Sequence, residues 1–249
     1  MIVLKTAKEL ETMKEAGRIS AGALRIAKQA LKPGVTTAHI DDEVRKYILS
    51  QDAIPSFLHY EGFPKTACIS INNQVIHGIP DGQTVVCEGD IVSIDVGACY
   101  KGFHGDNAAT FAVGQVSPKA QKLMDVTLES LKRAVAVAVK GNRIGDISNA
   151  VQSYVEQNGF SVVRDFVGHG VGHELHEAPE VPNYGKAGHG IRLVPGMTIA
   201  IEPMVNEGTF KVEVLDNDWT VVTKDGGLSA HFEYSIAITD NGPIILTAE

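Results

Sequence analysis

Several common patterns are missing from this 249-residue chain, and each absence removes a class of function. No apolar run reaches the roughly 18 residues that argue for a membrane span, so none is expected. The first residues, Met1 to Glu11, interleave Lys and Glu with apolar side chains, which leaves no hydrophobic stretch for a secretory signal. Cysteine is scarce. Cys68, Cys87 and Cys99 cannot all pair and form no C-x-x-C, which suits a reducing compartment, and a cytoplasmic location is expected. Positive charge is in deficit: 22 Lys and Arg face 30 Asp and Glu, a net charge of −8 that argues against direct nucleic-acid recognition. Lys5, Lys8, Lys14 and Arg18 are the nearest approach to a basic cluster, and at helical spacing they read as a solvated face. No low-complexity linker divides the chain. With 44% hydrophobic and 21% charged residues it has the composition of one ordinary globular domain spanning 1–249.

The periodicities predict helices and strands in a definite order. Thr6 and Glu9 form a capping-box pattern, followed by Leu10, Met13, Gly17, Ala21, Leu24, Ala27 and Leu31 at helical spacing, so a helix is expected over 6–31. Pro33-Gly34 ends it. Thr36 or Thr37 can cap a second helix carrying Ile40, Val44, Tyr47 and Ile48. Strands are expected at 67–71, 84–96 and 106–113, with a turn over 100–105. Ser117-Pro118 opens a long helix to about residue 140, and a shorter helix spans roughly 146–157. Strands and turns follow, with Asp225-Gly226 a hairpin signal.

This order conceals a repeat. An offset of 107 residues lays Leu24 on Leu131, Ile40 on Ile147, Val44 on Val151, Tyr47 on Tyr154, Gly89 on Gly196 and Asp95 on Glu202. After an extra 20 residues in the second half, His104-Gly-Asp106 meets His231-Phe-Glu233. The chain therefore reads as two α+β halves, roughly 6–114 and 115–249, each bringing two carboxylates to a shared centre.

Those carboxylates sit in unusual company. Asp95 follows Ile91-Val-Ser-Ile, where strand alternation puts Val92, Ile94 and Val96 on one face and Asp95 on the other with Ile91, Ser93 and Gly97. Glu202 ends the similar run Gly196-Met-Thr-Ile-Ala-Ile. One strand-end acid usually reaches solvent. Four in two matching contexts call for a compensating positive charge, because a carboxylate among β-branched residues is costly to bury alone. Four carboxylates with one histidine suit two divalent ions held mainly by oxygen. The natural histidine is His169 in Gly168-His-Gly-Val-Gly-His173, a segment without the G-x-G-x-x-G spacing of a dinucleotide loop.

The segments Asn72-Asn-Gln-Val-Ile-His77-Gly-Ile-Pro, Ile94-Asp95-Val, His104-Gly-Asp106, Gly168-His169-Gly-Val-Gly, Leu175-His176-Glu, Ile201-Glu202-Pro-Met and Phe232-Glu233 resemble type I methionine aminopeptidase in its bacterial form, end to end and in order. That resemblance implies the pita-bread fold, two pseudo-symmetric halves around a dinuclear metal site. It implies removal of the initiator methionine from nascent proteins whose second residue is small. It assigns Asp95, Asp106, His169, Glu202 and Glu233 as ligands of two divalent ions, with Co, Mn, Fe and Zn all compatible. A metal-activated water would be the nucleophile, and Glu202 would take and return its proton. His176 would face the scissile carbonyl oxygen and His77 the scissile amide. Phe57, Tyr60, Phe63, Cys68, Met204 and Trp219, with His77 at the edge, would line the methionine pocket.

Three residues depart from the family pattern: Leu175 where an aromatic is frequent, Asn107 where a small hydroxyl residue is, and Tyr234 where histidine is. The first is expected to loosen a pocket wall, and Tyr234 to alter support of Glu233. Partners implied are N-terminal Met peptides and a transient ribosome contact, with the protein a monomer and no membrane involved. Two alternatives share the fold: a proline-specific peptidase, which usually carries a further N-terminal domain, and a non-catalytic binding protein, which would have lost ligands.

Overall fold

The computed structural model describes residues 1–248. Helix α1 runs Ala7–Ala30, and its N-terminus is held by the expected capping box: Thr6 Oγ1 accepts from Glu9 N–H, and the Glu9 carboxylate accepts from Thr6 N–H. Helix α2 (Thr37–Ser50) is capped by Thr36 rather than Thr37. Helices α3 (Pro118–Val137) and α4 (Ile144–Gln157) follow, with Pro118 in the first turn, where its missing N–H costs nothing.

Among the described residues, nine antiparallel strands make one curled sheet. Its path runs Ile54–Pro55, Ile91–Tyr100, Phe103–Ala112, Glu233–Thr239, Thr198–Ile201, Gly168–Gly170, Glu177–Val181. Ala67–Ile71 also pairs with Ile91–Tyr100, and Gly242–Ile245 with Glu233–Thr239. Val92, Ile94, Val96 and Ala98 pack under α1 and α2 against Ile19, Ala23, Ile40 and Val44. Ile199, Ile201, Ile236 and Ile238 pack under α3 and α4 against Leu123, Leu131, Ile147 and Val151. All four helices thus cover one face, and the opposite face of the curl is left for polar side chains.

The 107-residue offset recurs in backbone detail. Helices α2 and α4 begin and end at that spacing. So do two isolated bridges, Thr36 to Val85 and Arg143 to Arg192. Gly89 and Gly196 both adopt φ of +91°, a conformation that a side chain would strain. The second half's extra residues build the hairpin Val212–Val214/Val221–Thr223, whose turn carries Trp219. This is the pita-bread architecture, with its two pseudo-symmetric halves meeting where Phe103–Ala112 pairs with Glu233–Thr239.

Four local expectations are corrected. The strand expected over 84–96 begins at Ile91, because 84–90 is taken up by a bridge and the turn at Gly89. The turn expected over 100–105 is confined to Lys101-Gly102, and both strands extend to meet it. Asp225-Gly226 is a turn but not a two-strand hairpin. The strand before it pairs with Val212–Val214 and the one after it with Met204–Asn206, while the Asp225 carboxylate accepts from Thr209 and Gly227 N–H. Lys5 does not join a solvated basic face. Its side chain is buried against Glu177, whereas Lys14 and Arg18 pair on the surface with Glu11 and Glu15.

Candidate metal centre and substrate cleft

Cross-strand register assembles the centre. Ala108 pairs with Asp95 on one side and with Glu233 on the other, so both carboxylates flank one small side chain. Asp106, two residues before Ala108, shares their face. Tyr234 pairs with Ile201, which brings the adjacent Glu233 and Glu202 to the same strand end. Gly170 pairs with Ile199, and His169 beside it points towards the carboxylates. Its Nε2 lies 3.5 Å from Glu202 Oε1 and 3.8 Å from Asp106 Oδ2. The Gly170 carbonyl, 2.8 Å from His169 Nδ1, can only accept, so the ring proton sits on Nδ1 and Nε2 presents its lone pair to the cleft.

Four buried carboxylates converge here with no cationic side chain among them, so either protons or a bound cation must offset their charge. Burial pushes Asp106 up to about 7 and, with the neighbouring carboxylates adding to it, drives Asp95, Glu202 and Glu233 well above the usual carboxylate range. Burial pushes His169 down to about 3, so it supplies no compensating charge. Asp95 Oδ1 and Glu233 Oε1 are buried without a hydrogen-bond partner. Candidate ligand atoms of Asp106, His169 and Glu233 all lie within 4.8 Å of one another. Orphaned carboxylate oxygens beside a neutral imidazole are the donor set of a divalent metal, and the residues present fit one.

A cleft of about 120 Å³ opens onto this cluster. Its walls hold Phe57, Tyr60, Phe63, Cys68 and Trp219 of the expected pocket, with His77, His176 and all five expected ligands. Phe63 and Trp219 meet edge to face at 5.1 Å, and Cys68 is a buried thiol whose pKa is pushed well up by burial. His77 is pushed down to about 4 by burial and stays neutral. Met204 is the exception. It does not line the cleft but is fully buried among Val75, Ile76, Val163 and Val221, because its strand turns that side chain into the core behind the wall.

The departures also resolve. Leu175 is buried and packs with Phe57, Phe63 and Cys68 as part of the pocket wall. Asn107 and Tyr234 point to the other face of the sheet, into a groove lined by Ala21, Leu24 and Phe111, because neighbours of Asp106 and Glu233 must alternate away. Tyr234 therefore gives Glu233 no side-chain support. Sequence reading missed His231, fully buried with Nε2 unpartnered 3.7 Å from Glu202 Oε2. Its signal was the repeat, which laid it on His104. Glu61, at the rim of the cleft, carried no signal at all.

Residues 11–240 match the model of metallopeptidase family M24. A methionine aminopeptidase of Clostridium acetobutylicum is 54% identical over 99% of both chains, and methionine aminopeptidase 1 of Bacillus subtilis is 51% identical over 99% of both. This chain belongs to the methionine aminopeptidases of family M24. The crystal structure of the Thermotoga maritima methionine aminopeptidase superposes with a TM-score of 0.99 at 47% identity, covering 100% of each chain. The Pyrococcus furiosus prolidase shares the fold (TM-score 0.78), but at 23% identity and over 66% of that longer chain. The protein is thus a metal-dependent hydrolase of the aminopeptidase class, and the proline-specific alternative is not favoured. No helix among the described residues is long and apolar enough to cross a membrane.

Proposed function

We propose that this protein removes the initiator methionine from nascent polypeptides whose second residue is small. The observation that carries the reading is the meeting of the buried carboxylate cluster with the cleft walled by Phe57, Phe63, Cys68, Leu175 and Trp219. An apolar, polarisable wall suits a thioether side chain, and the uncompensated carboxylates suit divalent metal.

Asp95, Asp106, His169, Glu202 and Glu233 would hold two divalent ions, of Co, Mn, Fe or Zn. Bound metal supplies a Lewis acid and lowers the pKa of water towards neutrality. The chain's own residues do the rest. Glu202, at the junction of His169 and His231, accepts the proton of the attacking water and returns it to the leaving amine. His176 donates to the scissile carbonyl oxygen as negative charge develops there, and His77 binds the scissile amide. The walls orient the methionine side chain and exclude water. The whole chain acts as one catalytic unit built from repeats at 6–114 and 115–249. It works in the cytoplasm as a monomer, in transient contact with the ribosome where its substrates emerge.

The test is selective cleavage. Metal-reconstituted protein is given Met-Ala-Val-Leu and Met-Ile-Val-Leu, and released methionine is measured by mass spectrometry. The first peptide is expected to be cleaved and the second spared, because a β-branched residue beside a packed wall cannot yield cheaply. Equal cleavage of both overturns the reading.

A further inference from the structure

The buried Lys5 is not used by the reaction described above, yet it is tied directly to the segment that carries His176. Lys5 lies in the extended chain before α1, and its backbone N–H donates to the Gly196 carbonyl at 2.7 Å. Its residue is only 5% exposed, an unusual burial for lysine. The side chain passes over Gly172, where a Cβ would stand 2.3 Å from Lys5 Cε, so this glycine keeps the passage open. At the far end Nζ donates to the Val3 carbonyl at 3.1 Å and to Oε2 of Glu177.

The other oxygen of that carboxylate has a different task. Glu177 Oε1 accepts from the N–H groups of His173 at 2.8 Å and Glu174 at 3.3 Å. One carboxylate therefore clamps the turn over 173–176 from its far side, and Lys5 neutralises and aims that carboxylate. The turn carries Leu175 into the pocket wall and His176 into the cleft. There the His176 ring stands perpendicular to that of His169, with centroids 4.2 Å apart. Without the ammonium group, a carboxylate at this depth would lose its counter-ion, and swinging towards water would release both backbone N–H groups.

We infer that Lys5 is a positioning residue for the reaction: through Glu177 it holds the 173–176 turn, and so sets where His176 meets the substrate. This rests on the role of His176 proposed above. The N-terminal segment is then a working part of the active site, although it lies more than 170 residues away along the chain.

The experiment compares Lys5→Met, His176→Ala and their combination in metal-reconstituted enzyme. On Met-Ala-Ser, Lys5→Met is expected to lower kcat about 10- to 100-fold, the scale of a small misplacement of a reacting group, with KM changed less than about threefold. In the His176→Ala background the same substitution is expected to cost less than about twofold, because the group it positions is gone. Amide exchange at His173 and Glu174 is expected to accelerate in Lys5→Met, a readout independent of activity. The variant Lys5→Met/Glu177→Met replaces the pair with apolar side chains, which keeps the chain folded if a lone, largely covered Glu177 does not. It is expected to show the same kcat loss. Full-speed turnover in either variant, or an equal loss with and without His176, overturns the inference. His176→Ala turning over at the wild-type rate would instead fail the reading of His176 itself.

Discussion

The hydroxyl of Tyr60 lies 2.9 Å from Nδ1 of His176, and the two rings meet edge to face at 5.1 Å. Burial lowers the His176 pKa and favours the neutral ring; in the role proposed for it, donating from Nε2, Nδ1 accepts and Tyr60 is the donor. Burial and nearby carboxylates push the Tyr60 phenol up, which keeps its proton in place. Its neighbours His59 and Glu61 hold left-handed φ angles of 70° and 48° without being glycine, a conformation that costs free energy.

Tyr60→Phe keeps the ring and removes only that hydrogen bond. The expected result is a kcat roughly tenfold lower at nearly unchanged KM, the scale of one hydrogen bond felt mainly in the transition state. Steady-state kinetics on Met-Ala-Ser decide it. A change confined to KM would reduce Tyr60 to a wall of the pocket.

Glu202→Gln keeps the shape of the side chain but cannot carry a proton. The folded, metal-loaded variant is expected to turn over at least about two orders of magnitude more slowly. Metal content is measured alongside, since Glu202 is also a candidate ligand. Near-normal turnover at full metal content would remove Glu202 from the acid–base role.

The metal-free protein should lose stability as pH rises above about 6.5. Asp106, raised to about 7, and Asp95, Glu202 and Glu233, raised well above the ordinary range, hold protons in the folded chain that the unfolded chain has already released. A raised carboxylate contributes stability below its unfolded pKa of about 4 and loses it as pH climbs through the folded value. The buried histidines His169 and His231, lowered to about 3, and His77, lowered to about 4, act in the opposite direction, an effect that fades as pH rises through their unfolded value of 6.5. Above that the carboxylates dominate, and at the alkaline end the raised Cys68 thiol adds to them. Thermal unfolding of EDTA-treated protein should therefore show a lower midpoint at pH 8 than at pH 6.5. A divalent metal should raise the midpoint and flatten that slope, because it takes over the role of the protons. The same slope with and without metal would mean the cluster does not hold one.

Much of this was legible because it is local. The box at Thr6 and Glu9, Pro118 in the first turn of α3, and the alternation that sets Asp95 against Val92, Ile94 and Val96 all follow from sterics and hydrogen bonding within a few residues. The 107-residue offset was readable too, since each half must bury the same face and so repeats its apolar spacing. Family motifs then pointed to His77, His176 and most of the cleft wall.

Other features depended on contacts between segments far apart in sequence. Met204 looked like a wall residue beside Glu202, but the face its strand turns to the core is chosen by pairing with Ser229–His231. Asn107 and Tyr234 adjoin candidate ligands in sequence, but the groove they line is made only where α1 brings Ala21 and Leu24 over their face of the sheet. His231 gains its place beside Glu202 through that same pairing, and Lys5 meets Glu177 only because the chain before α1 crosses Gly172. The sequence by itself determined which residue types were available to a metal centre and which segments would be helices or strands, because those depend on short-range sterics and periodic burial. Tertiary structure alone decided which polar groups are buried and what they face, because burial and partnership are set by register and packing between distant segments.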